Sequence, residues 1–367
     1  MQLKQIARDA LLKPLQAVSG IVERRHTLPI LANVLLEQRD GRLYVTATDL
    51  EMQITADSEL DGKDGQEVTV GARKLQDLLR ALPDDSTLNI DAASNKMTVK
   101  AGRSRFNLQT LPAADYPRIR LGTEQLQTLS LPQKDLRSLI KLAEFAMAQQ
   151  DIRYYLNGML LVVDSGTLQA VATDGHRLSW ASIAVAGEYS RQEVILPRKT
   201  VLELGKLLED NDNPVTLDIL GNQVRFRFAN IELVSKVVDG KFPDFNRVIP
   251  VGHGKEVELD RVEMLAALDR AAILSNEKFR GVRVVLETNL LKIICTNSEQ
   301  EEAEEELEVA YQGDALDIGF NITYLLDALR NLTVERIHFA FGDANSSALV
   351  TMPGRDDYKY VVMPMRI

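Results

Sequence analysis

This chain repeats itself three times, and that constrains its fold more than any other feature. A strand ending in a polar corner runs Gly41-Arg42-Leu43-Tyr44-Val45-Thr46-Ala47-Thr48-Asp49-Leu50. It returns as Gly166-Thr167-Leu168-Gln169-Ala170-Val171-Ala172-Thr173-Asp174-Gly175, and more weakly as Asn289-Leu290-Leu291-Lys292-Ile293-Ile294-Cys295-Thr296-Asn297-Ser298. Asp49, Asp174 and Asn297 hold one position in the three copies, at spacings of about 125 and 123 residues. A strand running into an amphipathic helix follows about 24 residues later in each copy, over residues 68–82, 194–208 and 317–329. Arg73, Arg198 and Asn321 mark it at equal offsets. Such a period is far above the 20 to 50 residues of solenoids and propellers, so each copy is long enough to be a domain with its own core.

Each copy also opens with a helix. Leu11, Leu12, Leu15 and Val18 recur at helical spacing, as do Leu136, Leu139, Ile140 and Ala143, and Leu265, Leu268, Ala272 and Ile273. The remainder alternates apolar and polar residues between glycine-containing turns, as in residues 223–228 beside Gly221-Asn222, which predicts strands. A Pro-containing strand is expected to close each copy, at Pro117, Pro243 and Pro364. The expectation is an α+β protein of three repeated domains, each with two helices on antiparallel sheet, over residues 1–121, 128–249 and 255–367.

The apolar content of 45 % and charged content of 26 % describe a globular chain, and no apolar stretch approaches the length of a membrane span. The N-terminal Met1-Gln2-Leu3-Lys4-Gln5 lacks the basic-then-apolar order of a signal peptide. A single cysteine, Cys295, allows no intrachain disulfide and reads as a small buried strand residue in the reducing cytosol. The net charge of −10 argues against a simple nucleic-acid binder. Its distribution argues otherwise. Residues 7–18 carry about +1, 72–82 about +2, 133–147 about +1, 198–208 about +2, 260–273 about −1 and 321–332 about 0. The helices are a cationic set on an anionic body, although the third copy does not share the bias. A cationic surface with no aromatic stacking platform and no recognition helix suits phosphate contact without sequence reading. Arg24, Arg25, Arg73, Lys74, Arg80, Arg153, Arg198 and Lys199 are the candidates, with Tyr154 and Tyr155 beside them.

These residues resemble the bacterial DNA polymerase processivity factor family, the β sliding clamps, along the whole chain. The strings that carry the resemblance include Thr27-Leu28-Pro29-Ile30-Leu31, Gly102-Arg103-Ser104-Arg105-Phe106, Asp151-Ile152-Arg153-Tyr154-Tyr155-Leu156-Asn157-Gly158-Met159 and Ala172-Thr173-Asp174-Gly175-His176-Arg177-Leu178. Ile273-Leu274-Ser275-Asn276-Glu277-Lys278-Phe279-Arg280-Gly281-Val282 and the tail Val361-Val362-Met363-Pro364-Met365-Arg366 complete it. The resemblance implies three DNA-clamp domains per subunit and a head-to-tail homodimeric ring, with helices lining a hole around duplex DNA. It adds Gln150 to the DNA-facing set.

The resemblance also implies a pocket for short client peptides. Its positions in this chain are Leu156, Thr173, Gly175, His176, Arg177, Leu178, Pro243, Arg247, Val248, Phe279, Asn321, Tyr324, Ser347, Val361, Val362, Met363, Pro364, Met365 and Arg366. Leucine, valine and methionine would give an adaptable apolar groove, with arginines to fix polar groups. At the subunit seam it places Lys74, Arg103 and Arg105 opposite Glu299, Glu301, Glu302, Glu304 and Glu305, with Phe106, Leu108, Ile273 and Leu274 as the apolar part. The implied partners are a replicative DNA polymerase, an ATP-driven clamp loader, translesion polymerases, mismatch-repair proteins and ligase, in the cytoplasm at the nucleoid. No cofactor or metal is expected. This chain has no Gly-x-x-x-x-Gly-Lys phosphate loop, so it is not the loading motor itself.

Two other classes compete. Asp174-Gly175-His176-Arg177 invites an acid–base or metal site, but the spacing of His26, His176, His253 and His338 suits no paired ligand set. Asp174 also has a counterpart, Asp49, in a copy lacking the histidine, so a turn-capping role is expected. A repeat-built scaffold that binds proteins but not DNA would be a monomer and would not be retained on circular DNA.

Overall fold

The computed structural model describes residues 1–23, 28–60, 65–93 and 95–367. Ten elements recur in the same order in each repeat. The first contains β1 (Gln2–Ala7), α1 (Arg8–Val18), β2 (Asn33–Arg39), β3 (Arg42–Thr48), β4 (Met52–Glu59), β5 (Gln66–Gly71), α2 (Ala72–Ala81), β6 (Thr87–Ala93), β7 (Lys96–Ala101) and β8 (Ser104–Leu111). The second contains β9 (Gln127–Pro132), α3 (Gln133–Ala143), β10 (Gly158–Asp164), β11 (Thr167–Thr173), β12 (Arg177–Ala184), β13 (Gln192–Pro197), α4 (Arg198–Leu207), β14 (Pro214–Leu220), β15 (Gln223–Phe228) and β16 (Ile231–Lys236). The third contains β17 (Lys255–Asp260), α5 (Arg261–Ala272), β18 (Gly281–Glu287), β19 (Leu290–Thr296), β20 (Glu302–Glu308), β21 (Leu316–Asn321), α6 (Ile322–Asn331), β22 (Arg336–Phe341), β23 (Ala348–Met352) and β24 (Arg355–Val362).

Local chemistry explains these elements. In α2, Ala72, Leu75 and Leu79 fall on one face and are buried, while Arg73, Lys74 and Arg80 stay exposed. Burying each leucine contributes about 2 kcal/mol. Pro14 interrupts α1 and cannot donate to the carbonyl of Ala10. The Ser58 hydroxyl donates to that oxygen instead, at 2.5 Å. α5 and α6 start on side-chain caps, where Asp260 accepts from the Glu263 N–H and Asn321 from the Thr323 N–H. In β15 the apolar residues Val224, Phe226 and Phe228 are buried while Arg225 and Arg227 point the other way.

The repeated polar corner is a turn in all three copies. Asp49 Oδ1 accepts from the N–H groups of Glu51 and Met52, Asp174 Oδ1 from those of His176 and Arg177, and Asn297 Oδ1 from those of Glu299 and Glu301. The helix landmark departs from its expected register. Ala72, Arg198 and Ile322 are the first helical residues, so equal spacing from the corner does not mark equal positions. The corner loops hold three, three and five residues and the loops before β5, β13 and β21 six, seven and seven, so the distance from corner to helix grows by one residue per copy.

The closing prolines are not in strands. β8, β16 and β24 end at Leu111, Lys236 and Val362, short of Pro117, Pro243 and Pro364. A residue without an N–H cannot donate to the next ladder, and the chain leaves the sheet before it.

Antiparallel ladders run on across repeat boundaries. β4 pairs with β16, with Ile54 opposite Leu233, and β12 pairs with β24, with Leu178 opposite Val361. The result is a 12-stranded sheet (β1-β6-β7-β8-β5-β2-β3-β4-β16-β15-β14-β9), an 8-stranded sheet (β13-β10-β11-β12-β24-β23-β22-β17) and a 4-stranded sheet (β20-β19-β18-β21). Two compact units result: Met1–Lys134 with Leu202–Val237, which holds the first sheet, and Asp135–Val201 with Val238–Ile367, which holds the other two. The second repeat is divided between them, because each of its outer strands is hydrogen-bonded to a neighbouring repeat.

Candidate functional site

A cavity of about 420 Å³ opens in the second unit where β11 turns into β12. Its floor is made by Leu156, Leu178 and Val361, which also belong to a buried apolar cluster with Leu160, Val171, Phe242 and Phe245. A floor anchored in packed core is preformed, as small-ligand sites usually are. Thr173, Gly175, His176, Arg177, Pro243, Val248, Ser347, Met363 and Arg153 complete the wall.

The corner is built tightly. The Gly175 N–H donates to Thr173 Oγ1 at 3.1 Å, and that hydroxyl donates to the Arg177 carbonyl at 2.6 Å. Gly175 has φ +89°, which a side chain would strain. A Cβ there would also stand 2.8 Å from Arg153 Nη2. Arg153 is held by Asp151 at 2.9 Å and donates to the Asp174 carbonyl at 3.3 Å. Bonds from the Arg153 side chain, and then from its backbone N–H, hold the Asp151 carboxyl down at about 2.

Arg177 forms the other wall, with only 10 % of its side chain exposed. It meets Asp174 at 3.1 Å and Asp327 at 2.7 Å, and donates to the Phe145 carbonyl at 2.7 Å. Its guanidinium lies 4.5 Å from the Tyr324 ring centroid and 5.7 Å from that of Phe145. Burial opposes its charge, but Tyr360, Asp327 and Asp174 outweigh burial and hold its pKa above the arginine norm.

The remaining pocket candidates stand outside this wall. Tyr324 stacks on Arg177, Asn321 caps α6, and Val362 is buried in the β24 ladder opposite Arg177. Arg247 is exposed and paired with Asp244 at 3.0 Å. Phe279 is exposed beneath Lys278. Met365 donates its N–H to the Gly319 carbonyl at 2.7 Å, Pro364 is half-buried beside it, and Arg366 is exposed.

Among the phosphate candidates, Arg24 and Arg25 lie outside the described residues. Arg73 and Arg80 are exposed on α2, two turns apart on one side, and no acid lies within ion-pair distance among the described residues. Arg198 donates to the Met147 carbonyl at 3.2 Å, and Lys199 is half-buried. Gln150, Arg153, Tyr154 and Tyr155 sit between α3 and β10. Gln150 and Tyr154 are exposed there, while Tyr155 packs on the core cluster below the pocket. Arg153 lines the cavity while 45 % of its side chain stays exposed.

The seam candidates fall on two surfaces. Arg103 and Arg105 are exposed at the start of β8, Phe106 and Leu108 are half-buried along it, and Lys74 and Leu108 line a cavity of about 520 Å³ with Asn33, Val70 and Asn107. Residues 104–109 of β8 pair only with β7. β20 ends its sheet, with Ile273 78 % exposed and Leu274 half-buried after α5. Glu305 pairs with Arg270 at 2.6 Å, which lowers its pKa, and Glu304 pairs with Lys292 at 3.3 Å. Glu299, Glu301 and Glu302 have no cation within ion-pair distance among the described residues, nor have Lys74, Arg103 and Arg105 an acid.

Models of the DNA polymerase III β subunit match end to end: its N-terminal domain at residues 1–120, its central domain at 130–244 and its C-terminal domain at 246–366. The chain belongs to the β sliding clamp family. The β sliding clamp of Pseudomonas aeruginosa is 51 % identical over 364 residues, covering 99 % of each chain. That of Escherichia coli K12 is 44 % identical over 363 residues, again covering 99 % of each. A crystal structure of the DNA polymerase sliding clamp from Pseudomonas aeruginosa superposes with a TM-score of 0.96 at 49 % identity, covering both chains fully.

Within the clamp fold, two features escaped the sequence. The place of Arg153 in the cavity lining, beside Asp151 and Gly175, has no signal in the sequence, where it is one arginine in a polar loop. Asp327 and Phe145 went unnoticed because they are far from Arg177 in sequence. Asp174 has the turn-capping role expected of it, accepting from the His176 and Arg177 N–H groups, and its carboxylate also pairs with Arg177. Cys295 is buried in β19, as the sequence predicts, and burial pushes its thiol up to about 11.

Proposed function

We propose that two copies of this chain close head to tail into a ring around duplex DNA. In this role the chain is a non-catalytic DNA sliding clamp that keeps a DNA polymerase on its template. One observation carries the reading. β4·β16 and β12·β24 join the same two strand positions of successive repeats, so a third repetition would join β20 to β8. Those strands sit in different repeats of one chain, one beside glutamates and the other beside arginines. A heterologous contact of this kind closes when the rotation per repeat is a whole fraction of a turn, and six repeats from two chains would do so. Lys74, Arg103 and Arg105 would then meet Glu299, Glu301 and Glu302, while Phe106 and Leu108 cover Ile273 and Leu274.

The helices line the hole in this arrangement. Arg73, Arg80, Arg198 and Lys199 would touch phosphates, with Gln150 and Tyr154 at the loop after α3, and Arg24 joining them. Such contacts carry no sequence information, which a ring moving along any sequence requires. The cavity at Leu156, Leu178 and Val361 would take short apolar peptides from the replicative polymerase, an ATP-driven loader, translesion polymerases, mismatch-repair proteins and ligase. The site of action would be the cytoplasm, at the nucleoid. Among the described residues no helix is long and apolar enough to cross a membrane.

The test is topological. After loading on nicked circular plasmid, the protein should stay bound in salt that strips electrostatic binders, and should leave once the plasmid is cut. Retention that survives linearisation, or no retention on circles, rejects the ring.

A further inference from the structure

We propose that Asp327 is a positioning residue for the peptide pocket: from α6 it holds Arg177 in the pocket wall. The proposal rests on the reading of the cavity as a peptide site. Asp327 is not among the residues lining the cavity, so it would act through Arg177 rather than on a peptide. All three guanidinium nitrogens are engaged, on Asp174, Asp327 and the Phe145 carbonyl, between the faces of Tyr324 and Phe145. Asp174 and Phe145 belong to the second repeat, and Asp327 and Tyr324 to the third. Tyr360, fully buried, donates to the Tyr324 carbonyl at 2.9 Å and braces the same wall. The cavity is likewise made by both repeats, with Leu156 and Leu178 from one and Ser347, Val361 and Met363 from the other. Asp327 therefore ties together the two halves of the site.

The other joint in the chain isolates what is special about this one. The sixth residue of α6 is Asp327, and the sixth residue of α4 is Glu203. The first residue of β12 is Arg177, and the first residue of β4 is Met52. The turn after α3 carries Phe145 where the turn after α1 carries Gly20. At the first joint the acid lies against Gly20, where a Cβ would stand 2.1 Å from its Oε2, and it pairs with Lys206 at 2.7 Å. An acid at this helix position is thus common to both joints. The arginine and its aromatic faces occur only at the joint that bears the pocket. Without Asp327 the guanidinium keeps one carboxylate and a carbonyl, and loses the contact that draws it toward the third repeat. A wall no longer held before binding costs affinity at binding.

The experiment measures anisotropy of a fluorescein-labelled apolar pentapeptide, Ala-Leu-Ala-Leu-Phe, chosen to match the floor of Leu156, Leu178 and Val361, on the full chain. Asp327→Asn should weaken binding about 10-fold, and Asp327→Glu about 3-fold, since a longer acid still reaches the arginine. In an Arg177→Met background, which installs the residue of the other joint, Asp327→Asn should change affinity less than about 2-fold. Equal losses in both backgrounds would mean that Asp327 acts by general stability, and overturn the proposal. So would wild-type affinity in Asp327→Asn and Asp327→Glu. Val248→Glu separates the two levels: if it leaves peptide binding intact, the pocket reading itself fails. If it abolishes binding while Asp327→Asn does not weaken it, only the positioning role fails.

Discussion

At the residue scale, Asp218 shows how a buried charge is made stable. Its side chain is 1 % exposed, yet Oδ1 accepts from Thr128 at 2.7 Å and Oδ2 from Arg225 at 2.8 Å, with Arg227 at 3.2 Å. Burial alone would raise its pKa, but those bonds outweigh burial and hold it below the carboxylate norm. A lowered folded-state pKa contributes stability above the unfolded value of 3.8, and that stability is lost as pH falls through the folded value. Asp218→Asn should therefore cost about 2 kcal/mol at neutral pH in urea unfolding of the first unit. The gap to the parent should shrink below about pH 4, where the parent carboxylate itself protonates. A gap independent of pH would mean that packing, not charge, holds the site. Single residues were the least legible scale. Asp174 could be read as a turn cap because its repeat partner lacks the histidine. The ring of groups around Arg177 could not, because one-dimensional spacing carries no trace of partners brought in from another repeat.

At the element scale, five of the six helices were legible to about a residue at each end, but α3 stops at Ala143, short of 147, and α5 buries Met264, Ala267, Leu268 and Ala271, sharing only Leu268 with the expected stripe. Strand ends were not, and the closing prolines were misplaced because alternation of apolar residues continues past the last ladder bond. The tail after β24 shows what alternation misses. It is pinned by the Met363 N–H to the His176 carbonyl at 2.9 Å and by the Met365 N–H to the Gly319 carbonyl at 2.7 Å. Gly319 has no room for a side chain, since a Cβ would stand 2.3 Å from the Met365 carbonyl oxygen, a backbone atom that cannot swing away. Gly319→Ala should push the tail off β21 and take Met363 out of the pocket wall. We expect peptide affinity to fall about 5-fold, with a much smaller change in unfolding midpoint because the tail is largely exposed. Unchanged affinity would show that the wall does not depend on how the tail is anchored.

At the scale of the whole molecule, three copies were plain in the sequence, but the ladders that join them were not. β4 and β16 are separated by well over one repeat, and alternation says that a strand is buried on one face without saying which strand lies beside it. The same two joints let the proposed seam be weighed. Exposed ion pairs contribute about 0.2–1 kcal/mol each, so Lys74, Arg103 and Arg105 together would supply about 1–3 kcal/mol and would weaken with salt. Strand pairing along β20 and β8 and burial of Ile273, now 78 % exposed, should supply more. The two contributions predict different losses. Arg105→Glu should raise the dimer dissociation constant about 10-fold at low salt, with the difference fading at high salt. Ile273→Asp should give monomer at micromolar concentration in any salt, because it would place an unpaired carboxylate in the apolar part of the seam. Sedimentation velocity across a salt series checks both. If Arg105→Glu proves the more disruptive in high salt, charge holds the seam, and burial of Ile273 and pairing of the strand edges are the smaller contributions.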